Sequence, residues 1–468
     1  MFSFFKKAKI QKRFFQAAKL SNLTSSWQAS TQAIQEPIKR QLKILRARAR
    51  EQAVNNDYAR KFLNLCKINI IGPQGIRLQA RLKTQDGHLN ATLNQQLEQA
   101  WRSWGQAKYC DITGQCAWIA LQQLIIQSIA QDGEIVIRLI ANTSNNPYGL
   151  SLQLLDAELL DLDLNVKLDA HRRIVMGIEL NVWNKPMAYY LLSETGETQH
   201  FGKTYQRIPA EQIIHAYLPE QLNQRRGLPW MSTALWRMKM LAGYEDSAIT
   251  AARVGAAKMG FFRSPTGEGY AGSGLDETGQ LLSSAEPGTF EQLPAGTEFV
   301  SFNPDYPHGE FGTFMKTCLR GIASGLLVSY NSLANDLEGV NFSSIRSGLL
   351  EERESWKLLQ QWFIDTVCQP ILEHWLKLQH LTQSVSLPQK YDPLHDFDWQ
   401  PRRWSWVDPV KEVQAQRLEV ELGTRSLSDI IRESGRDPEE VFLERAHDQT
   451  QFTPFIVTPL QEATQDED

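Results

Sequence analysis

The sequence predicts an α+β chain built from several modules, and three observations lead there. Between Leu150 and Tyr217 short β-type runs alternate with turns, as in a mixed α/β portion with a meander-like sheet. From Met231 to Phe262 apolar residues recur mostly at threes, fours and sevens, the spacing of one long helix. From Thr317 to about Val367 come a small-residue helix, a polar loop and a longer helix. A chain of 468 residues has room for two or three such modules.

In order, Asn56–Cys66 reads as a helix running into a β-rich stretch, Lys67–Ile71, and Gly72-Pro73-Gln74-Gly75 is a turn leading to Ile76–Leu78. Leu93, Leu97 and Trp101 mark a helix to Trp104; a loop around Tyr109-Cys110-Asp111 and Gly114 precedes an apolar helix, Trp118–Ala130. Asp132-Gly133 turns into a buried strand, Glu134–Ile140. Further strands fall at Leu152–Leu155, Ile174–Val182, Met187–Leu192 and Ile213–Tyr217. The long helix, Met231–Phe262, would reach roughly 45 Å at 1.5 Å per residue. Its second half is rich in Ala and Gly, so helical neighbours can approach it on two sides. Ser264–Gly288 is Gly-rich and irregular; Glu298–Asn303 is β-like and Pro304–Pro307 a turn. In Thr317–Val328 the small residues Gly321, Ala323, Ser324 and Gly325 permit close backbone approach. Tyr330–Phe342 carries Asp336 and Glu338 and no Lys or Arg. The helix that starts near Asn341 or Ser343 should break or kink near Cys368, with Pro370 in a new first turn. Tyr391–Trp406 reads as loop and strand, and helices follow at Val410–Leu422, Leu427–Ser434 and after Asp437-Pro438.

A net charge of −4 argues against a generic nucleic-acid binder, yet the charge is polarised. Lys6 to Arg50 holds about a dozen Lys and Arg against the single Glu36, whereas acids dominate after Lys411. The basic arm suits nucleic acid or an acidic neighbour, and equally a helix with a solvated basic face. The five cysteines contain no C-x-x-C pair, so neither a disulfide framework nor a zinc site is indicated and a reducing compartment fits. No apolar run approaches the roughly 20 residues of a membrane span, and the opening MFSFFKKAKIQKRFF does not read as a signal peptide. No catalytic, metal or cofactor constellation survives. Asp132 and Glu134 lack the following Lys of a metal-dependent nuclease, the Gly-rich stretch lacks the phosphate-loop Lys, and the histidines are scattered. The Leu427–Pro438 region resembles a helix-turn-helix whose second helix starts acidic, which suits packing better than DNA.

In order along the chain, several stretches then resemble the lambda family of tailed-phage portal proteins. These are Asn56-Asp57-Tyr58-Ala59-Arg60, Ile71-Gly72, Gly75-Ile76, Cys110-Asp111 with Gly114, Asp132-Gly133-Glu134, Gly177-Ile178-Glu179, Pro209-Ala210 and His215. Arg226–Met231, Leu293-Pro294-Ala295-Gly296, Arg320–Leu326, Tyr330, Asp336, Gly339–Arg346, Asp408-Pro409 with Lys411-Glu412, and Gly435-Arg436-Asp437 continue the match. Phe342 stands where the family often has Tyr.

The resemblance implies an elongated, non-enzymatic subunit of a ring, dodecameric in portals generally, at the one special capsid vertex. It would be assembled in the host cytoplasm. Double-stranded DNA would pass through the channel without sequence specificity, driven by a separate terminase large subunit. Major capsid, scaffold and head–tail connector proteins would dock on the ring, with no membrane and no cofactor involved. By the same resemblance residues 1–54 form a basic arm, 55–225 a wing, 226–262 a stem helix, 263–308 a clip-like segment, 309–342 a second stem helix and tunnel loop, 343–405 a long helix returning to the wing, and 406–468 an acidic crown. Tyr330, Asn331, Asn335, Asp336, Glu338, Gly339 and Asn341 would face DNA. Met231, Leu235, Met238, Ala252, Gly255, Ala256 and Met259 would pack the stem and ring, with Arg320, Gly321, Ala323 and Gly325 on the second stem helix. Lys39, Arg40, Lys43, Arg46, Arg48 and Arg50 form the arm. A DNA-associated scaffold and, with less support, a nuclease are the competing readings.

Overall fold

Helix α1 (Gln35–Asn55) buries Ile38, Leu42, Arg46, Ala49 and Gln52, one stripe stepping by threes and fours. Asn56 then leaves helical geometry, and its side-chain oxygen accepts from the Tyr58 and Ala59 amides at 3.0 and 3.1 Å to start α2 (Asp57–Cys66). The computed structural model describes residues 33–84, 86–87, 89–141, 146–193, 203–256, 260–263, 298–301, 309–338, 342–382, 391–404, 409–434, 436 and 438–452. Lys67–Ile71, expected as a strand, instead prolongs α2 as a π-helical turn. Tertiary context overrides β propensity here, because that turn puts Ile70 and Ile71 wholly inside the core.

After positive-φ turns at Gly72 and Gly75 come β1 (Arg77–Ala80), α3 (Ala91–Trp104), the single turn α4 (Ala107–Cys110) and α5 (Trp118–Asp132). The Asp111 carboxylate holds the loop after α4 by accepting from the amides of Thr113, Gln115 and Cys116. Strands β2 (Glu134–Ala141), β3 (Leu150–Leu155), β4 (Val166–Lys167), β5 (Arg173–Val175), β6 (Ile178–Leu180), β7 (Pro186–Leu192), β8 (Tyr205–Pro209) and β9 (Ile213–Tyr217) follow. They form a three-stranded antiparallel sheet, β3–β2–β9, and a five-stranded meander, β4–β5–β6–β7–β8. The single strand expected over Ile174–Val182 is two, because Met176 and Gly177 take φ of 51° and 84° and reverse the chain. Val136, Ile178, Leu180, Leu191, Ile208 and Ile213 form a shared apolar cluster between the two sheets.

The long helix is shorter than its periodicity suggests. α6 (Leu235–Ala256) has 22 residues, about 33 Å, and Gly260–Arg263 leave it to form β10, paired antiparallel with β11 (Glu298–Ser301). Phe261 and Phe262 stand in register with Val300 and Phe299, residue types whose strand propensity competes with more helix. The Gly-rich Ser264–Gly288 and the Pro304–Pro307 turn lie outside the described residues. Next are α7 (Phe311–Gly325), α8 (Tyr330–Ala334) and α9 (Phe342–Phe363). The break expected before Pro370 is a π-helical turn, Ile364–Cys368, after which α10 (Gln369–Thr382) carries Pro370 in its first turn. Finally β12 (Phe397–Gln400) pairs with β1, and α11 (Pro409–Glu421), α12 (Leu427–Glu433) and α13 (Pro438–Phe452) close the described chain. α12 begins with a capping box, Ser426 with Asp429.

One core joins the helices to β1, β2 and β12. At its centre the Trp101 ring lies 4.5–6.2 Å from the rings of Trp104, Trp118, Trp375 and Trp399, indoles from four segments. Beside it the end of α5 meets the approach to α6 at van der Waals limits. Gly133 has φ +91°, and a Cβ on Gly227 would sit 1.9 Å from the Gly133 carbonyl oxygen. Backbone cannot yield there as a flexible side chain would. Gly227→Ala is therefore expected to destabilise by about 3 kcal/mol or more, the upper end of overpacking costs; a denaturant midpoint equal to that of the parent would contradict this.

Candidate functional site

The turn after α7 is built by local capping. Leu327 takes φ 57°, Ser329 caps α8 by accepting from the Ser332 amide at 3.2 Å, and Asn335 at φ 54° ends it. Residues 330–334, expected as loop, are thus one helical turn. Its surroundings change the meaning of the acidic stretch. Lys316 on α7 donates to Glu338 at 2.8 Å and lies 3.3 Å from Asp336. The Tyr330 hydroxyl donates to Asp336 at 2.6 Å, and Lys61 on α2 donates to Asn335 at 2.8 Å. The Tyr330 hydrogen bond, with the Glu338 amide and Lys316, brings Asp336 down to a pKa of about 2. The Arg320 guanidinium lies 5.5 Å from the Tyr330 ring centroid. A stretch without Lys or Arg in sequence is therefore flanked in space by three cations of neighbouring helices. Asn331 stands half-buried on α8; Gly339 and Asn341 lie outside the described residues.

The small residues of α7 receive the start of α6. Gly325 carbonyl accepts from the Thr233 hydroxyl at 2.7 Å, and a Cβ on Gly321 would sit 1.8 Å from an Arg237 nitrogen. Ala323 is buried at the same contact. Met231, Leu235 and Met238, expected to serve ring packing, face this interior and are buried within the subunit. The opposite side of α6 exposes Trp236 and Met240, at 72% and 57%, which the sequence reading did not single out; Ile249, one of the periodic apolar positions, is exposed farther along the helix. Ala252 is exposed on the same helix; Gly255 and Ala256 lie in its last turn, and Met259 falls outside the described residues.

Among the described residues of the basic arm, Lys43, Arg46 and Arg50 are committed to their own chain. Arg46, expected to face a partner, is 1% exposed and ion-paired to Glu134. Arg50 makes a two-toothed pair with Asp132 at 2.8 and 2.9 Å and reaches Asp156 at 2.8 Å. Lys43 pairs with Asp163 at 2.6 Å. Lys39, Arg40 and Arg48 remain exposed, with Arg40 3.9 Å from Glu36. The acidic neighbour is the sheet region of the same chain.

Glu134, weighed in the sequence as a nuclease carboxylate, is the hub of this arrangement. Besides Arg46 it accepts from Arg226 Nε and from the Gly227 amide, both at 2.7 Å, and lies 3.0 Å from His215 Nε2. Arg46 and Arg226 also donate to the Ala157 carbonyl, at 3.5 and 3.2 Å. Burial alone would raise the carboxyl pKa; Arg226, Arg46 and His215 outweigh it and hold the group well below its usual range. An acceptor saturated by fixed donors has no lone pair left for metal or water, so the arrangement is structural.

The class of protein follows from comparison with known sequences. A family model described as "Phage portal protein, lambda family" matches residues 20–360. A "Probable portal protein" of Halomonas phage phiHAP-1 is 34% identical over 452 residues, covering 94% of this chain and 87% of the relative. "Portal protein B" of Escherichia phage lambda is 21% identical, covering 90% and 86%. The neck of an empty GTA particle shows a TM-score of 0.46 at 13% identity, covering 88% of this chain and 97% of that one. The chain belongs to the lambda family of phage portal proteins. It is a structural component and not an enzyme.

Replacing Glu134 with Ala would leave two guanidiniums buried without their counter-charge, at an expected cost of about 3–5 kcal/mol. Because the folded-state pKa is depressed, the carboxylate's contribution is present above the ordinary value of 4.5 and is lost as pH falls through the depressed value. Glu134→Gln should accordingly show a flatter loss of stability below that pH than the parent. Parallel acid-unfolding curves would refute the assignment.

Proposed function

We propose that the chain is one subunit of a portal ring at the capsid vertex, with α6 and α7 as the stem and the 330–342 segment turned toward the DNA. One observation carries this reading: α6 is apolar on two sides. One side is filled by α7 of the same subunit, and the other, with Trp236 and Met240 one turn apart, is open. Exposed aromatic and Met side chains on a straight helix suit an interface between identical subunits. Phe314 on α7 and Leu327 after it extend the open apolar surface. A ring, twelvefold in keeping with the family, would cover it; terminase, capsid and connector proteins would then meet the assembled surfaces.

The loop's role follows from its charge in space. Lys316 is held by Asp336 and Glu338, so the charges of the turn are tied to one another within the subunit, with Leu337 exposed at 65%. Such a surface touches phosphate without the counter-ion release that makes Lys and Arg grip.

Trp236→Glu with Met240→Glu is expected to leave a folded subunit that no longer assembles, seen as monomer mass by sedimentation. Rings of unchanged mass would remove the open face of α6 from the interface. Separately, Asp336→Asn with Glu338→Gln would free Lys316 toward the channel and should slow packaging several-fold while rings still form. Packaging at the parental rate in a translocation assay would show that the loop charge is incidental.

A further inference from the structure

A cleft of about 470 Å³ opens between α9, the 403–404 segment and α12. Arg353 and Lys357 come from α9, Arg403 and Trp404 from the strand exit, Arg425 from the turn between α11 and α12, and Ile430 from α12. Arg353, Lys357, Arg403 and Arg425 outnumber the two lining carboxylates, Glu354 and Glu433, so the cleft carries an excess of positive charge around one indole. Arg353 and Arg402 lie 5.9 and 5.7 Å from the Trp404 ring. Burial, with the neighbouring Arg353 charge, holds the Arg402 pKa below its ordinary value, so two like charges are kept together. Carboxylates already answer part of that charge: Glu354 pairs with Lys357 at 2.6 Å, and Glu419 with Arg425 at 3.0 Å, with Glu433 beside it. Among the described residues Arg403 makes no ion pair.

We infer that this cleft is a docking site for the chain's own acidic segment, residues 453–468, whose carboxylates meet Arg353 and Arg403. Three observations single out this occupant. The segment carries Glu462, Asp466, Glu467 and Asp468 and no Lys or Arg, the opposite sign to the cleft. Its apolar Phe455, Ile456, Val457 and Leu460 match the apolar part of the lining, Leu350, Trp404 and Ile430. Reach is right as well. α13 contacts α12, whose end lines the cleft, and its 15 residues carry the chain at most about 22 Å from that end. Ten further residues, extended, span about 33 Å, enough to bring Glu462 and the carboxylates beyond it back to the cleft. A DNA duplex is too wide to enter and could meet only the rim. Docked there, the segment would tie α12 and α13 to α9 through charge-assisted hydrogen bonds, the geometry guanidinium favours.

The test uses the full-length chain with Glu462→Gln, Asp466→Asn, Glu467→Gln and Asp468→Asn together, and a fluorescent peptide of residues 453–468 as probe. By anisotropy the peptide should bind the neutralised protein at least about 10-fold more tightly than the parent, whose own segment competes. Adding Arg353→Glu with Arg403→Glu to the neutralised protein should abolish binding, and Arg403→Glu alone, at an exposed position, should weaken it several-fold. Equal affinity for parent and neutralised proteins overturns the proposal. So does a short DNA duplex whose binding requires Arg353 and Arg403 and is not displaced by the peptide.

Discussion

The ionised Glu134 carboxylate sits where four segments distant in sequence meet, and the geometry around it depends on that charge staying in place. Arg46 comes from α1, His215 from β9, Arg226 and Gly227 from the approach to α6, and Glu134 itself from the first residue of β2. Burying a carboxylate costs several kcal/mol, so the site persists only because its acceptors are filled by charged and backbone donors. The consequence is directional. Arg226 and Gly227 aim the chain into α6, so that helix leaves the sheets along a path set by one side chain. The contact of Gly133 with Gly227 allows that path to be short.

Much of the fold was legible because local signals and tertiary packing agree. The helix start at Asn56, the Gly133 turn, the apolar strand after it and the Pro370 restart all appear where turn chemistry and missing donors demand them. Failures come where two states share a pattern. Lys67–Ile71 is as good a buried helix as a strand, and only the packing of Ile70 and Ile71 decides. Likewise apolar residues continue at helical spacing through Phe262, but antiparallel pairing with β11, Phe262 opposite Phe299, converts the end into β10.

The candidate site was less legible, because charge counted along a chain is not charge in space. The acidic stretch looked uncompensated, yet α7 runs past it and places Lys316 among its carboxylates. A basic pair one turn apart, Lys316 and Arg320, was the available signal. The arm had the opposite fate: Arg46 occurs in a basic run but sits on the stripe of α1 that packs inward, with Arg50 half-buried at its edge. The spacing of Arg46 with Ile38, Leu42 and Ala49 was the clue that it belongs to the core. For α6, Met231, Leu235, Met238 and Leu241, which periodicity marks, are consumed within the subunit, and Trp236 and Met240, off that stripe, are the exposed ones.

The pairing of β1 with β12 has a further meaning in time. Gln79 and Gln400 are 321 residues apart, so the edge of β1 has no partner strand until nearly the whole chain exists. At synthesis rates of about 5–20 residues per second, that edge waits roughly 15–60 s on the ribosome. Closing so long a loop also carries an entropic cost that only the finished core can offset. The Trp101 cluster, which takes Trp375 and Trp399 from the same late segment, closes at the same moment. The last strand therefore acts as a latch: a subunit cut short before residue 397 would keep an open β edge and an unfilled aromatic core, and neighbouring copies would be the nearest strands able to fill them.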